Sequence, residues 1–332
     1  MGLLSVPIID LEPYFSGSSE GRAGLANAVD QACRSIGFLV IINHQIPIAL
    51  VERVSALSRE FFDLPIAEKR KVDRPRPDMV RGYSAVAEES LSYSLEEAAP
   101  GDLKESFSIG PTDVPEEPYF HGHAAGQHFA PNVWPLSAEF KAAYTEYFAA
   151  MSDLSRSLMR IFALALEMPE TFFDDKIDKH ISMFRALSYP PLSQAALPGQ
   201  LRASAHSDYG SLTIVLPDGP GLQVAHGGSW IDVPRVPGGF VVNLGDLMMQ
   251  WTNDRWVSTL HRVVNPTLDS SDNRRRQSMV FFHQPNYDAM IACLPGCKAA
   301  GQSDNYAPIS SGDHLLSKFV KQTTFGGTRQ IT

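Results

Sequence analysis

The periodicity of apolar residues changes near Lys179, and that change limits the fold more than any other feature of the chain. Before it, Phe140, Tyr144, Tyr147, Met151, Leu154, Leu158, Ile161 and Ala165 step by alternating fours and threes. Such a stripe predicts one helix of about eight turns, ended near Pro169, with the aromatic and methionine side chains serving as core. After it come short β-prone runs set apart by turn residues: Leu212–Leu216, Gly221–Val224, Trp230–Val233, Phe240–Leu244, Trp256–Leu260 and Ser278–Phe282. Gly227-Gly228 between two of these runs reads as a hairpin turn. Helices first and many short strands later, with no linker or repeat between them, predict an α+β chain in which helices pack on one sandwich, jelly-roll or barrel core.

Upstream, Pro7-Ile-Ile-Asp-Leu11 is short and β-prone, and a helix is expected from about Gly21 to Ser35 with Leu25, Ala28, Val29 and Ala32 on one face. Gly37 ends it. Phe38–Ile42 then reads as a fully buried strand closed by Asn43-His44, and Pro47 opens a second helix carrying Leu50, Val54, Leu57, Phe61 and Phe62. From Arg74 to about Pro135 the chain is rich in Pro, Gly and acidic residues. Long loops with short strands are expected there, of the kind that form lids or recognise substrates.

Charge and cysteine content remove several functions. The 332 residues carry a net charge of -9. An acidic chain lacks the basic field that phosphate backbones require, and the run Arg274-Arg275-Arg276 is too short to supply one, so no nucleic-acid partner is expected. No apolar stretch is long enough to span a bilayer, the N-terminus lacks the layout of a secretory signal, and Ser5-Val6 misplaces the serine of a myristoylation motif after Gly2. Three cysteines, Cys33, Cys293 and Cys297, make no disulfide framework and no zinc ligand set; they fit a reducing, cytoplasmic setting.

In Ala205-His206-Ser207-Asp208-Tyr209, an extended backbone aims residues i and i+2 at the same side, so His206 and Asp208 could both face one ion. His261, which follows Trp256–Leu260, is the best candidate for a third ligand. Two histidines and one carboxylate on one face of an octahedron leave positions open and suit non-haem Fe(II) and O2 chemistry. Taken alone, His-x-Asp is a weak signal, and His44, His180, His314 and the group His121, His123 and His128 are expected to be structural or solvated. Further on, Arg276, Ser278, Val280 and Phe282 share one face of a strand. A buried Arg276 needs an anion, which a bound dicarboxylate or an internal salt bridge could equally provide.

Taken in order, His206-x-Asp208, His261-Arg262-Val263 and Arg276-x-Ser278 resemble the isopenicillin N synthase-like family of iron(II)/2-oxoglutarate oxygenases. Pro7–Leu11, Gly37-Phe38 through Asn43-His44, Arg185 through Tyr189-Pro190-Pro191, Gly221–Val224, Asn243-Leu-Gly-Asp246 and Trp251-Thr-Asn253 extend the likeness over nearly the whole chain. The resemblance implies a double-stranded β-helix (jelly roll) with flanking helices, including one long helix before the core. It implies a single oxygenase domain over 1–332, divided into an N-terminal region (1–178), a core with the metal site (179–300) and a C-terminal segment over the pocket (301–332). It further implies Fe(II) on His206, Asp208 and His261, and the distal carboxylate of 2-oxoglutarate on Arg276 and Ser278 with Tyr189 nearby. Two positions depart from the family: Gln45 stands where a glycine is usual, and Leu187 where many relatives have an asparagine that reaches the other end of the cosubstrate.

The activity so implied is oxidation of a small-molecule substrate by O2 (hydroxylation, desaturation or ring closure), coupled to conversion of 2-oxoglutarate to succinate and CO2. The family's topology puts Arg81, Phe107, Phe282 and Phe325 at the substrate, with Arg81 a candidate for a carboxylate or phosphate, and favours a monomer. Gln330 resembles a glutamine that can reach the metal in isopenicillin N synthase, so an oxidase that needs no 2-oxoglutarate is the near alternative. A zinc hydrolase and a non-catalytic metal- or ligand-binding protein on the same fold are the distant ones.

Overall fold

The computed structural model describes residues 5–76, 79–92, 100–299 and 301–318. Phe325 and Gln330 lie outside the described residues. In chain order the strands are β1 (Ile8–Asp10), β2 (Phe38–Ile42), β3 (Gly82–Ser84), β4 (Glu105–Ile109), β5 (Met183–Tyr189), β6 (Ala203–His206), β7 (Leu212–Pro217), β8 (Leu222–His226), β9 (Ser229–Asp232), β10 (Phe240–Leu244), β11 (His261–Val263), β12 (Arg276–His283), β13 (Met290–Ile291) and β14 (Ile309–Ser310). Eight form a large sheet in the order β1-β2-β10-β7-β12-β5-β4-β3, and four form a smaller one in the order β6-β11-β8-β9. Apart from the parallel β1–β2 edge, every pairing in the two sheets is antiparallel. The expected jelly roll is present, and its large sheet takes strands from both ends of the expected division near residue 178.

The large sheet is buried on both faces, so its strands lack the apolar-polar alternation of a half-exposed sheet. Phe107, Phe184, Ala186, Ile214, Val242, Met279 and Phe281 belong to one core with the helices Ser19–Ser35, Ile48–Asp63 and Ala138–Ala165. Their neighbours along the strands, Leu187, Tyr189, Val241 and Val280, belong to a second core shared with Ala203, Leu222, Val224 and Val263 of the small sheet. The site lies in this second space, between the sheets.

The long helix runs from Ala138 to Ala165, and its first turn is capped by Ser137, whose hydroxyl accepts the Phe140 N–H at 3.1 Å. The helix Ser19–Ser35 buries Leu25, Ala26, Val29, Ala32 and Cys33, while Ala28 is exposed. Gly227 and Gly228 adopt φ of 57° and 78°, the two left-handed residues that a tight hairpin needs, and join β8 to β9. Gln45 has φ of 63°, which explains why glycine suits that position. Trp256–Leu260 is not a strand. Its polar groups turn to the C-terminal end of the helix Ser19–Ser35 instead: Val257 N–H donates to Cys33 O and the Thr259 hydroxyl to Ile36 O. Among the described residues no helix is long and apolar enough to cross a membrane, and Cys33, Cys293 and Cys297 are unpaired.

Candidate metal centre

β6 ends at His206, and β11 begins at His261 directly opposite it in the antiparallel ladder. Their rings are 4.2 Å apart between centroids. Asp208 sits in the turn after β6, where its backbone carbonyl accepts the Asp246 N–H at 2.8 Å. That turn is compact because Gly210 and Gly245 meet backbone to backbone: a Cβ on Gly245 would fall 2.2 Å from Gly210 O. One ligand atom from each of His206, Asp208 and His261 lies within 4.8 Å of the others, and these three are the one such group of His, Cys, Asp or Glu among the described residues.

The outer atoms of each side chain are already engaged. His206 Nδ1 donates to Ser204 O at 2.8 Å and His261 Nδ1 to Thr259 O at 3.2 Å. Both Nε2 atoms therefore carry the lone pair, and each stands 3.9 Å from a different oxygen of Asp208. Fixing the far ring nitrogen to a carbonyl is how proteins set the tautomer of a metal-ligating histidine. Asn243 Nδ2 donates to Asp208 Oδ2 at 2.7 Å. Burial pushes the His206 pKa down to about 4, and His261 alongside adds to the shift. Burial works against the charge of Asp208, yet the facing His261 and His206 and hydrogen bonds from Asn243 and Thr213 outweigh it and hold its pKa below the usual range. Neutral imidazoles and an ionised carboxylate are the protonation states that a divalent cation requires. The donor set fits non-haem iron.

On the facing wall, Arg276 is 2% exposed. Its Nε donates to Gly219 O (3.3 Å) and Pro220 O (3.0 Å), and its Nη1 to Ser278 Oγ (2.5 Å). No carboxylate among the described residues forms an ion pair with it, and burial lowers its pKa. A second guanidinium, Arg202, is equally buried and, among the described residues, donates only to the carbonyls of Pro190 and Arg274. Burial and then Arg276 itself depress its pKa. This end of the inter-sheet space is thus built to receive an anion. Leu187 lies opposite Ser278 in the β5–β12 ladder, a nonpolar side chain where the family usually has an amide.

Of the four residues expected at the substrate, Phe282 is on the inner face and packs against the inter-sheet core. Arg81 is 6% exposed and donates to Val80 O and His128 O, both at 2.8 Å. Among the described residues its Nε has no partner, and burial pulls its pKa down to about 10. Phe107 must be corrected: it is opposite Ala186 in the ladder and faces the helices, fully buried among Phe61, Phe140 and Tyr144. His121 bonds Pro115 O, and His128 stacks on Tyr287.

Several contributors were not legible as such. Asn243 and Thr213 hold Asp208; Asn243 stood out only as part of the family-like Asn243-Leu-Gly-Asp246 run, with no sign of its partner, and Thr213 carries no signal beyond its place in a β-like run. On the inner face, Arg185 donates to Ser108 Oγ at 2.9 Å and pairs with Glu89 at 3.2 Å. The period-two alternation of β5, with Arg185, Leu187 and Tyr189 on one side, is the signal that could have found it.

Comparison with known proteins agrees with this geometry. Residues 6–137 match a family model described as the non-haem dioxygenase in morphine synthesis N-terminal region, and residues 180–285 match that of the 2OG-Fe(II) oxygenase superfamily. The chain is 35% identical over 321 residues to the 2-oxoglutarate-Fe(II) type oxidoreductase hxnY of Emericella nidulans, covering 94% of this chain and 89% of that protein. It is 31% identical to a homoarginine-6-hydroxylase of Oryza sativa, over 95% of this chain and 97% of the other. Among solved structures, a full-length Neurospora crassa protein in complex with alpha-KG and thymine superposes with a TM-score of 0.82 at 31% identity, covering 95% of this chain and 96% of that one. Sequence, ligand geometry and relatives converge: this chain belongs to the 2-oxoglutarate-Fe(II) oxygenase superfamily, as a dioxygenase that acts on a small molecule with Fe(II), 2-oxoglutarate and O2.

Proposed function

We propose that His206, Asp208 and His261 hold the Fe(II), that Arg276 with Ser278 and Tyr189 binds the distal carboxylate of 2-oxoglutarate, and that the substrate is a small polar molecule whose anionic group pairs with Arg81. The observation that carries this reading is a buried Arg276 with no carboxylate partner among the described residues, on the wall facing a cation-ready His-Asp-His group. A buried guanidinium is costly unless paired, and a carboxylate accepts from it in two parallel bonds. Iron held by His206, Asp208 and His261 and 2-oxoglutarate held by Arg276 would together supply the oxidising power, with O2 divided between succinate and the oxidised substrate and CO2 released.

The chain's own residues supply position and exclusion. The carbonyls of Ser204 and Thr259 keep both Nε2 lone pairs turned inward, and Asn243 keeps Asp208 from swinging away. Tyr189 and Val280 line the space between the sheets and limit water. Arg81 supports the substrate assignment in the same way as Arg276: it is a buried cation that, among the described residues, bonds neutral carbonyls alone. Its partner His128 stacks on Tyr287, which packs in one apolar cluster with Tyr209, the residue after Asp208. Phe282 serves as a wall of that pocket.

We read residues 1–332 as one oxygenase domain, a cytoplasmic monomer. The shared large sheet and the three free cysteines support the first two points, and the monomer rests on the family likeness. The test is turnover of 2-oxoglutarate under 18O2 with Fe(II): wild type is expected to place one labelled atom in succinate. Unlabelled succinate, or consumption of O2 without 2-oxoglutarate, would reject this assignment in favour of another chemistry.

A further inference from the structure

Asp102 has no solvent exposure, yet it touches neither the metal ligands nor the wall that holds Arg276. Among the described residues its carboxylate accepts four hydrogen bonds, which join three separate stretches of chain. Oδ1 accepts both the backbone N–H (3.0 Å) and the hydroxyl (2.6 Å) of Ser204, on β6. Oδ2 accepts the Leu91 N–H (3.1 Å) and the ammonium of Lys104 (2.5 Å), itself buried at the entry to β4. The backbone adds to the knot: Asp102 N–H donates to Glu89 O, Ala87 N–H donates to Asp102 O, and Leu103 N–H donates to Leu201 O. A carboxylate that satisfies four donors in a dry interior is a rigid fixture, because releasing any of them leaves a buried polar group unpaired.

Ser204 is the residue whose carbonyl orients His206. It is pinned to Asp102 at both N and Oγ, so the position of its carbonyl follows that of Asp102. The same carboxylate grips the turn at 87–91, and Glu89 of that turn pairs with Arg185 on the inner face of β5 and with Arg74. The other histidine is held differently. Thr259 O orients His261, and the Thr259 hydroxyl donates to the neutral Ile36 O; a carboxylate reaches this segment only one residue away, where the Ser258 hydroxyl donates to Asp246 (2.9 Å), so among the described residues none bonds Thr259 itself.

We infer that Asp102 is a positioning residue for the metal centre: it fixes the strand segment that aims His206 and clasps it to the 87–91 turn that braces Arg185. The inference rests on the reading of His206 as a metal ligand. It makes the two histidines unequal, since only His206 is mechanically tied to the turn beside the pocket.

The inequality can be read without turnover. In the Co(II)-loaded protein, the Nδ1–H protons of His206 and His261 give two strongly shifted, exchangeable proton resonances, assigned by their loss in H206A and H261A. If no such pair exists, the metal-ligand reading itself fails. If the pair exists, Asp102→Asn is expected to move the His206 resonance and speed its exchange with water while leaving that of His261 in place. Fe(II) affinity should fall roughly 3–10-fold, less than the loss expected for a direct partner of a ligand. Ser204→Ala removes one of the two pins without stranding a charge, so it decides the matter should the Asn variant fail to fold: the same resonance should move, by less. Thermal destabilisation with both resonances and metal affinity as in wild type would show Asp102 to be a general structural residue and overturn the inference.

Discussion

Tyr189 and Arg276 face each other across the β5–β12 ladder, the guanidinium carbon 4.9 Å from the centre of the tyrosine ring. The ring covers one face of the cation and leaves its edge for hydrogen bonds. A guanidinium so placed is held flat and pre-aimed, which is what bidentate binding of a carboxylate requires.

Replacing Arg276 should therefore separate binding from stability. Arg276→Met is expected to weaken 2-oxoglutarate binding by about 100-fold or more, the loss of two charged hydrogen bonds. The apo protein should melt no lower than wild type, since an uncompensated buried cation has gone. Calorimetric titration with 2-oxoglutarate and a thermal melt of the same sample read both outcomes.

Asn243 is expected to control iron affinity. In Asn243→Ala the Asp208 carboxylate loses a 2.7 Å bond, and Fe(II) affinity should drop by roughly 10–100-fold. Competition against a chelator of known affinity measures the change.

Arg81 should act on substrate and not on cosubstrate. Arg81→Met is expected to leave uncoupled succinate formation within about twofold of wild type. It should cost an anionic substrate about tenfold or more in kcat/KM, as one charge-assisted contact is worth roughly 1.5–3 kcal/mol. Rates with a carboxylate substrate and with its amide, compared in both proteins, give the answer.

Buried histidines make the metal-free protein sensitive to mild acid. Burial drops the pKa of His180, His128 and His314 to about 4, and that of His283 well below its ordinary value. Arg156 reinforces the effect at His180, with Asp153 opposing. Unfolding returns each ring to about 6.5, so between these values the unfolded chain binds protons that the folded one refuses. The contribution is complete above about pH 6.5 and is lost as pH falls towards 4. Melting temperature should already decline between about pH 6.5 and 5, before most carboxylates titrate. The decline should be shallower in His180→Phe, as scanning calorimetry across that range would record.

Much of this was written in the sequence, and the exceptions have physical causes. The long helix and the strands after Lys179 follow from periodicity because each meets the core on a defined stripe or run. The pairing of His206 and Asp208 was legible because i and i+2 spacing in an extended chain has one geometric meaning, while the place of His261 beside them required the ladder that sets it opposite His206. Phe107 was misassigned because both faces of the large sheet are buried, so alternation cannot tell the helix side from the pocket side. Trp256–Leu260 has strand composition but spends its hydrogen bonds on Cys33 and Ile36, a long-range pairing that no local pattern announces. Asp102, Lys104, Glu89 and Arg185 sit in stretches whose charges look solvated until the fold buries them together.

The most direct measurement is an anaerobic titration of the Fe(II)-loaded protein with 2-oxoglutarate, followed in the visible range and then by admission of O2. A weak charge-transfer band that saturates at one equivalent, is lost in His206→Ala, and is followed by succinate on oxygenation is the predicted result. Iron that binds with no band and no succinate, or a band that survives in His206→Ala, would contradict it.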